Sequence, residues 1–71
     1  MLPRSQFNRS IGINIARQRR RLRLTQREFA DFVGLSQAML ARLEVGNRNI
    51  SAYQLQRIAI FLRCDLGRLI P

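Results

Sequence analysis

Between Thr25 and Leu43 the chain reads TQREFADFVGLSQAMLARL, and this stretch constrains the fold more than any other. Glu28 follows Thr25 at the spacing of a capping box, in which hydroxyl and carboxylate each accept a bond from an orphan backbone amide. Phe29, Phe32 and Val33 then share one helical face, and Gly34 stops the helix where a left-handed residue is cheap. Ser36 is a second N-cap, opening a short helix with Leu40 and Leu43 on its inner side, and Gly46 ends it. Small Ala30 lets the second helix come close, and Leu35, Leu40 and Leu43 face Phe29 and Val33 across the turn. Two helices crossing steeply over so short a connection make a helix-turn-helix.

The flanking residues are also spaced for helices. Phe7, Ile11, Ile15 and Leu22 mark a first helix over about residues 9–22, behind a polar stretch with Pro3 that is expected to fray. Ser51 caps a fourth helix with the stripe Leu55, Ile58, Ala59, Leu62, and Asp65 caps a short fifth carrying Leu66, Leu69 and Ile70. No segment alternates as a half-buried strand would. The expected fold is all-α, a compact five-helix bundle in which residues 9–71 form one domain and residues 1–8 a flexible arm. With 71 residues there is room for one modest core.

Charge narrows the function. Thirteen basic residues, all arginine, face four acidic ones, for a net charge of +9. Such a field holds a polyanion, and nucleic acid fits it best. A hydrophobic content of 46% is too high for a basic disordered tail, so the charge belongs to a folded domain. One cysteine, Cys64, and no histidine exclude a disulfide framework, a zinc site and imidazole catalysis. No catalytic residue, metal or cofactor is expected, and four scattered carboxylates give an enzyme little to work with. The segment MLPRSQFNRS lacks an apolar signal core and no apolar run approaches a membrane span, which points to a cytoplasmic, reduced protein without a membrane partner.

The stretch LTQREFADFVGLSQAMLARLEVG resembles the lambda-repressor-like helix-turn-helix family, the Cro/phage-repressor or XRE type. The resemblance extends upstream through Ile11, Ile15 and Arg19 and downstream through NRNISAYQLQRIAIFLRCDLGRLI, so it covers about residues 9–70. It implies a five-helix domain that binds DNA sequence-specifically, usually as a dimer regulating transcription. It further implies that Gln26 bonds a DNA phosphate and braces the recognition helix, and that Arg19 and Glu44 form an internal salt bridge. By the same match, Gln37, Ala38, Ala41 and Arg42 stand on the outward side of the recognition helix. Asn47, Arg48 and Asn49 match the loop that lies along the phosphate backbone. Arg23 and Arg63 depart from the family pattern, standing where relatives commonly place glycine, and Val45 replaces a usual asparagine.

Helical geometry supports the outward set independently. At about 100° per residue Leu40 and Leu43 bracket an inward direction, and the opposite side holds Ala38, Arg42 and Val45 with Gln37 and Ala41 at its rim. Gln37 can bond adenine bidentately, Arg42 guanine, and Ala38 can touch a thymine methyl. Met39 falls at the border between core and groove. Arg27 and Arg48 suit phosphate contacts because helix 2 and the loop after helix 3 flank the groove. The run Arg17, Arg19, Arg20, Arg21, Arg23 reads as a general electrostatic footprint or as cations offsetting a helix C-terminus. Arg4 and Arg9 of the arm could reach DNA, but disorder is the state expected of them. Cys64 reads as a buried, inert thiol. Tyr53 and Ile60, seven residues apart on the outer side of helix 4, combine with Leu66, Leu69 or Ile70 into a candidate dimer face, with packing in the monomer core as the alternative.

The resulting expectation is a small DNA-binding regulator, a homodimer on a palindromic double-stranded operator, acting as a repressor or controller of its own or neighbouring genes. It would be bacterial or phage-encoded and nucleoid-associated. With the sequence ending at Pro71 no sensor domain is expected, and regulation is expected from concentration, site competition or a regulatory protein partner. The alternative is a protein-interaction adaptor on the same fold with only non-specific nucleic-acid affinity.

Overall fold

Helix α1 runs Arg4–Arg21 in the computed structural model, which describes residues 2–71. It begins five residues before the expected start, and Arg4–Asn8 are helical rather than part of an arm. Pro3 serves as its N-cap at φ −55°, and the Pro3 carbonyl accepts from the Phe7 amide at 2.9 Å. Proline lacks only a donor that a first turn cannot use, so here it opens a helix instead of marking a frayed end. Contacts from far along the chain hold this turn. Asn8 Nδ2 donates to Asn49 Oδ1 at 2.7 Å, and Gly46 lies so close that a Cβ there would stand 2.7 Å from the Arg9 Cα.

Helices α2 (Gln26–Val33), α3 (Gln37–Glu44) and α4 (Ala52–Leu62) follow, and no strand occurs among the described residues. The expected fifth helix is a 3₁₀ turn of three residues, Leu66–Arg68, and Asp65 makes no side-chain cap bond there. Ser36 and Ser51 do cap, each hydroxyl accepting from the amide three residues on at 3.1 Å. Arg23 at φ 59° and Arg63 at φ 53° hold the left-handed turns after α1 and α4 without glycine. Each departure from glycine costs on the order of 1 kcal/mol.

The core collects the inward faces of all these elements. Ile11 and Ile15 of α1, Phe29 of α2, Leu40 and Leu43 of α3, Leu55, Ile58 and Leu62 of α4 are buried, with Leu22, Leu35 and Cys64 half-buried around them. Leu69 joins this cluster at 0% exposure, so it packs within the monomer and is unavailable to the dimer face expected of it. Phe7 and Phe32, placed by periodicity on buried stripes, are exposed because no neighbouring element covers their end of the stripe. Gly12 decides how closely α1 and α3 approach. A Cβ on it would stand 2.3 Å from the Leu43 carbonyl oxygen and 2.6 Å from that of Glu44, so backbone meets backbone at this crossing.

Candidate nucleic-acid interface

Local chemistry builds the helix-turn-helix. The Glu28 amide donates to Thr25 Oγ1 at 3.1 Å, and the Thr25 amide donates back to Glu28 Oε1 at 2.9 Å. The Thr25 backbone amide foremost, and the Thr25 side chain after it, hold the Glu28 carboxyl below its ordinary range. Gly34 closes α2 at φ 73° with nothing within 4 Å of a would-be Cβ, so the backbone angle and not space requires glycine. The Leu35 amide then donates to the Ala30 carbonyl at 2.9 Å, which turns the chain into α3.

Leu40 and Leu43 fasten α3 to the core at 0% and 3% exposure. The rotation this imposes leaves Gln37, Ala38 and Arg42 exposed, Ala41 half-buried at the rim, and Val45 standing out just past the helix end. Met39 is half-buried, at the border where its angle put it. Gln37 and Arg42 are left open to solvent and to an outside partner.

A buried strut sets the pose of α3. Arg19 Nε and Nη2 donate to the two oxygens of Glu44 at 2.7 and 3.0 Å, and Arg19 Nη1 donates to the Leu24 carbonyl at 2.6 Å. Gln26 Nε2 adds a bond to Glu44 Oε1 at 2.9 Å. The end of α1, the start of α2 and the end of α3 therefore meet at one carboxylate. Gln26 braces α3 directly and retains a second amide hydrogen for an outside acceptor. Arg27 beside it is exposed.

The loop after α3 begins with the Asn47 amide donating to the Arg42 carbonyl at 2.9 Å. Asn47 and Asn49 are exposed and Arg48 is half-buried. The surroundings of this loop are not legible in the sequence. Arg4, Ser5 and Asn8 of α1 line a cleft of about 300 Å³ together with residues 46–49, and Asn8 anchors Asn49. No local signal marks Asn8, which is one polar residue in a polar stretch.

The remaining expected positions lie elsewhere. Tyr53 and Ile60 are each 68% exposed on the outer side of α4, with the Arg57 guanidinium 5.8 Å above the Tyr53 ring. Leu66 and Ile70 are exposed beyond α4, while Leu69 is in the core. Arg19–Glu44 is the one ion pair among the described residues, so the other twelve arginines have no carboxylate within salt-bridge reach. Burial raises the pKa of the Cys64 thiol, an effect that Arg21 and Arg68 partly offset. Among the described residues no cluster could hold a metal ion, and no helix is long and apolar enough to cross a membrane.

Comparison with known proteins places this geometry. A family model described as helix-turn-helix matches residues 15–69. No curated protein sequence matches the chain. Among solved structures, the DNA-binding domain of BldD superposes with a TM-score of 0.86 at 17% identity, over 94% of this chain and 97% of that one. The restriction-modification controller protein C.AhdI from Aeromonas hydrophila gives 0.82 at 24% identity, over 89% and 91%. Hydroxypropylphosphonic acid epoxidase from S. wedmorenis gives 0.88 at 22% identity over 94% of this chain, which spans 36% of the enzyme. At these identities the likeness is one of fold.

Proposed function

The chain belongs to the helix-turn-helix family of Cro/C1-type DNA-binding domains, and from that premise we propose that it is a sequence-specific regulator of transcription acting as a homodimer on a palindromic operator. The observation that carries this reading is the outer side of α3, where Gln37, Ala38 and Arg42 stand uncovered on a helix fixed by the Arg19–Glu44–Gln26 strut. Preorganised side chains are what base readout needs, since a loose helix would lose its discrimination to conformational entropy. Gln37 addresses adenine, Arg42 guanine, and Ala38 with Ala41 the thymine methyl. Gln26, Arg27, Asn47, Arg48 and Asn49 hold the phosphates on either side of the groove.

Two subunits meet through Tyr53, Ile60, Leu66 and Ile70 and set their α3 helices about 34 Å apart, one turn of duplex. The activity is binding without catalysis, in the cytoplasm, and the physiological action is repression or control of its own or neighbouring genes. The test is selection of bound duplexes from a random pool at near-physiological salt. Enrichment of a palindrome with half-sites one turn apart is the expected result. Salt-sensitive binding without enrichment would mean that net charge and not α3 makes the contact, and the adaptor reading would replace this one.

A further inference from the structure

Away from α3 and the 47–49 loop, the molecule carries two adjoining troughs that DNA binding leaves unused. One is apolar. Phe32 of α2 and Ile60 and Phe61 of α4, at 58%, 68% and 40% exposure, stand around a floor of Leu22, Leu24 and Phe29 and enclose about 540 Å³. The other is cationic, a cleft of about 450 Å³ walled by Arg21, Arg63 and Arg68, with Asp65 as its one acidic group. Ile60 and Arg63 line both, so the two troughs form one surface.

Large aromatic side chains clustered in water mark interaction sites more often than idle surface. One of the charges beside them is held in place. Arg21 Nε donates to Gln18 Oε1 at 2.7 Å and its Nη2 to the Leu62 carbonyl at 3.0 Å, which pins the guanidinium against the end of α4. Arg63, which lines both troughs, stands at their junction on a left-handed φ of 53° that glycine would hold without strain.

We propose that this surface docks an acidic amphipathic helix of a partner protein, its large apolar side chains in the Phe32–Ile60–Phe61 trough and its flanking carboxylates on Arg63 and Arg68. A second copy of the chain matches the apolar trough but not the cationic one. Of its four carboxylates, Glu44 is buried on Arg19 and Glu28 closes the α2 cap, which leaves Asp31 and Asp65 to answer three arginines while bringing a further +9. A phosphate backbone answers the arginines and leaves the aromatic side chains in water. Ile60 also belongs to the proposed dimer face, so a docked partner covers part of it. Docking and the proposed dimer contact therefore compete for Ile60, while docking does not depend on DNA binding.

The experiment titrates the isotope-labelled full chain with three synthetic peptides, followed by amide chemical shifts. The first is a helix-forming peptide with Leu and Phe at i, i+3, i+4 and i+7 and Glu flanking them. The second is its shuffled version and the third has Gln in place of every Glu. The first peptide is expected to bind in the micromolar range and to shift Phe32, Ile60, Phe61 and Arg63 while residues 37–44 stay still. Both controls should bind about tenfold more weakly or worse. Phe32→Ser, at an exposed position, should weaken binding about tenfold. Arg63→Gly should weaken it at least about threefold while the domain unfolds no earlier than the parent, so that the loss cannot come from misfolding. The proposal is overturned by equal binding of the shuffled peptide, by shifts centred on α3 and the 47–49 loop, or by undiminished affinity in folded Phe32→Ser. It is equally overturned if no peptide binds, or if Phe32→Ser abolishes self-association of the free chain, which would give the trough to a second copy.

Discussion

Removing one end of the Arg19–Glu44 pair tests the construction of the domain at its most coupled point. The two side chains are 9% and 4% exposed and joined by bonds of 2.7 and 3.0 Å. Arg19→Met deletes both of these and the bond to the Leu24 carbonyl, leaving Glu44 buried with Gln26 alone. Breaking a buried pair from one side costs about 3–5 kcal/mol, because the remaining charge is uncompensated. The surviving Gln26 bond puts the expected loss near the lower end, about 3 kcal/mol. A domain of this size has a total stability of roughly 4–11 kcal/mol, so this loss is a large share of the whole. It corresponds to a fall in Tm of roughly 12–24 °C. Glu44→Leu should cost a similar amount by stranding Arg19, whereas Arg19→Met with Glu44→Leu removes both charges and should recover at least half of either single loss. Urea unfolding followed by circular dichroism at neutral pH measures all four proteins. If Arg19→Met cost less than about 1 kcal/mol, or if the double variant cost the sum of the singles, the strut would be neither buried nor coupled and the reasoning would fail.

Other changes probe single links of the chain from sequence to function. Gly12→Ala should lose about 1–3 kcal/mol despite alanine's helix propensity, because its Cβ meets the Leu43 and Glu44 carbonyls; thermal unfolding of an equally stable variant would show that α1 and α3 do not touch there. Thr25→Ala should cost about 1 kcal/mol in denaturant unfolding. Glu28 has a folded-state pKa below its ordinary 4.5, so its contribution is complete above that value and lost as the pH falls through the folded pKa. The stability gap between the parent and Glu28→Gln should therefore close in acid, and a gap constant from pH 7 to 3 would contradict the capping box. On DNA, Arg42→Ala should relax the preference at one base position by about 1–3 kcal/mol, while Arg48→Ala weakens all duplexes alike and lowers the salt slope by about one. An unchanged preferred sequence in Arg42→Ala would put the register of α3 in error. Ile60→Asp should give a folded monomer with weakened operator binding, and a sedimentation profile identical to the parent would remove that side of α4 from the dimer face.

Features that arise within four or five residues were legible in the sequence. The capping box at Thr25, the serine caps at Ser36 and Ser51 and the left-handed stop at Gly34 rest on bonds between near neighbours, so residue type and spacing suffice to place them. The same holds for the outward side of α3. Once Leu40 and Leu43 are inward, the helical repeat fixes where Gln37, Ala38 and Arg42 stand. The Arg19–Glu44 pairing spans 25 residues and was reached through family resemblance, since no local rule joins them.

Tertiary structure decided everything that depends on what covers a face. Periodicity states which side chains share a stripe but not how far a neighbouring helix extends along it. Phe32 therefore stays in water where a core residue was expected, and Leu69 fills the core, the alternative to the dimer face. Residues 4–8 carry no helix signal strong enough to place them, yet Asn8 bonds Asn49 from 41 residues away and Gly46 packs on Arg9, so α1 begins at Arg4. Nothing near Gly12 in the sequence marks it, and only the crossing of α1 over α3 makes it the residue that lets them meet. Local bonds have partners that the chain itself supplies a few residues away. The contacts that set the length of α1, the closeness of α3 and the exposed aromatic trough have partners that only the folded chain brings near.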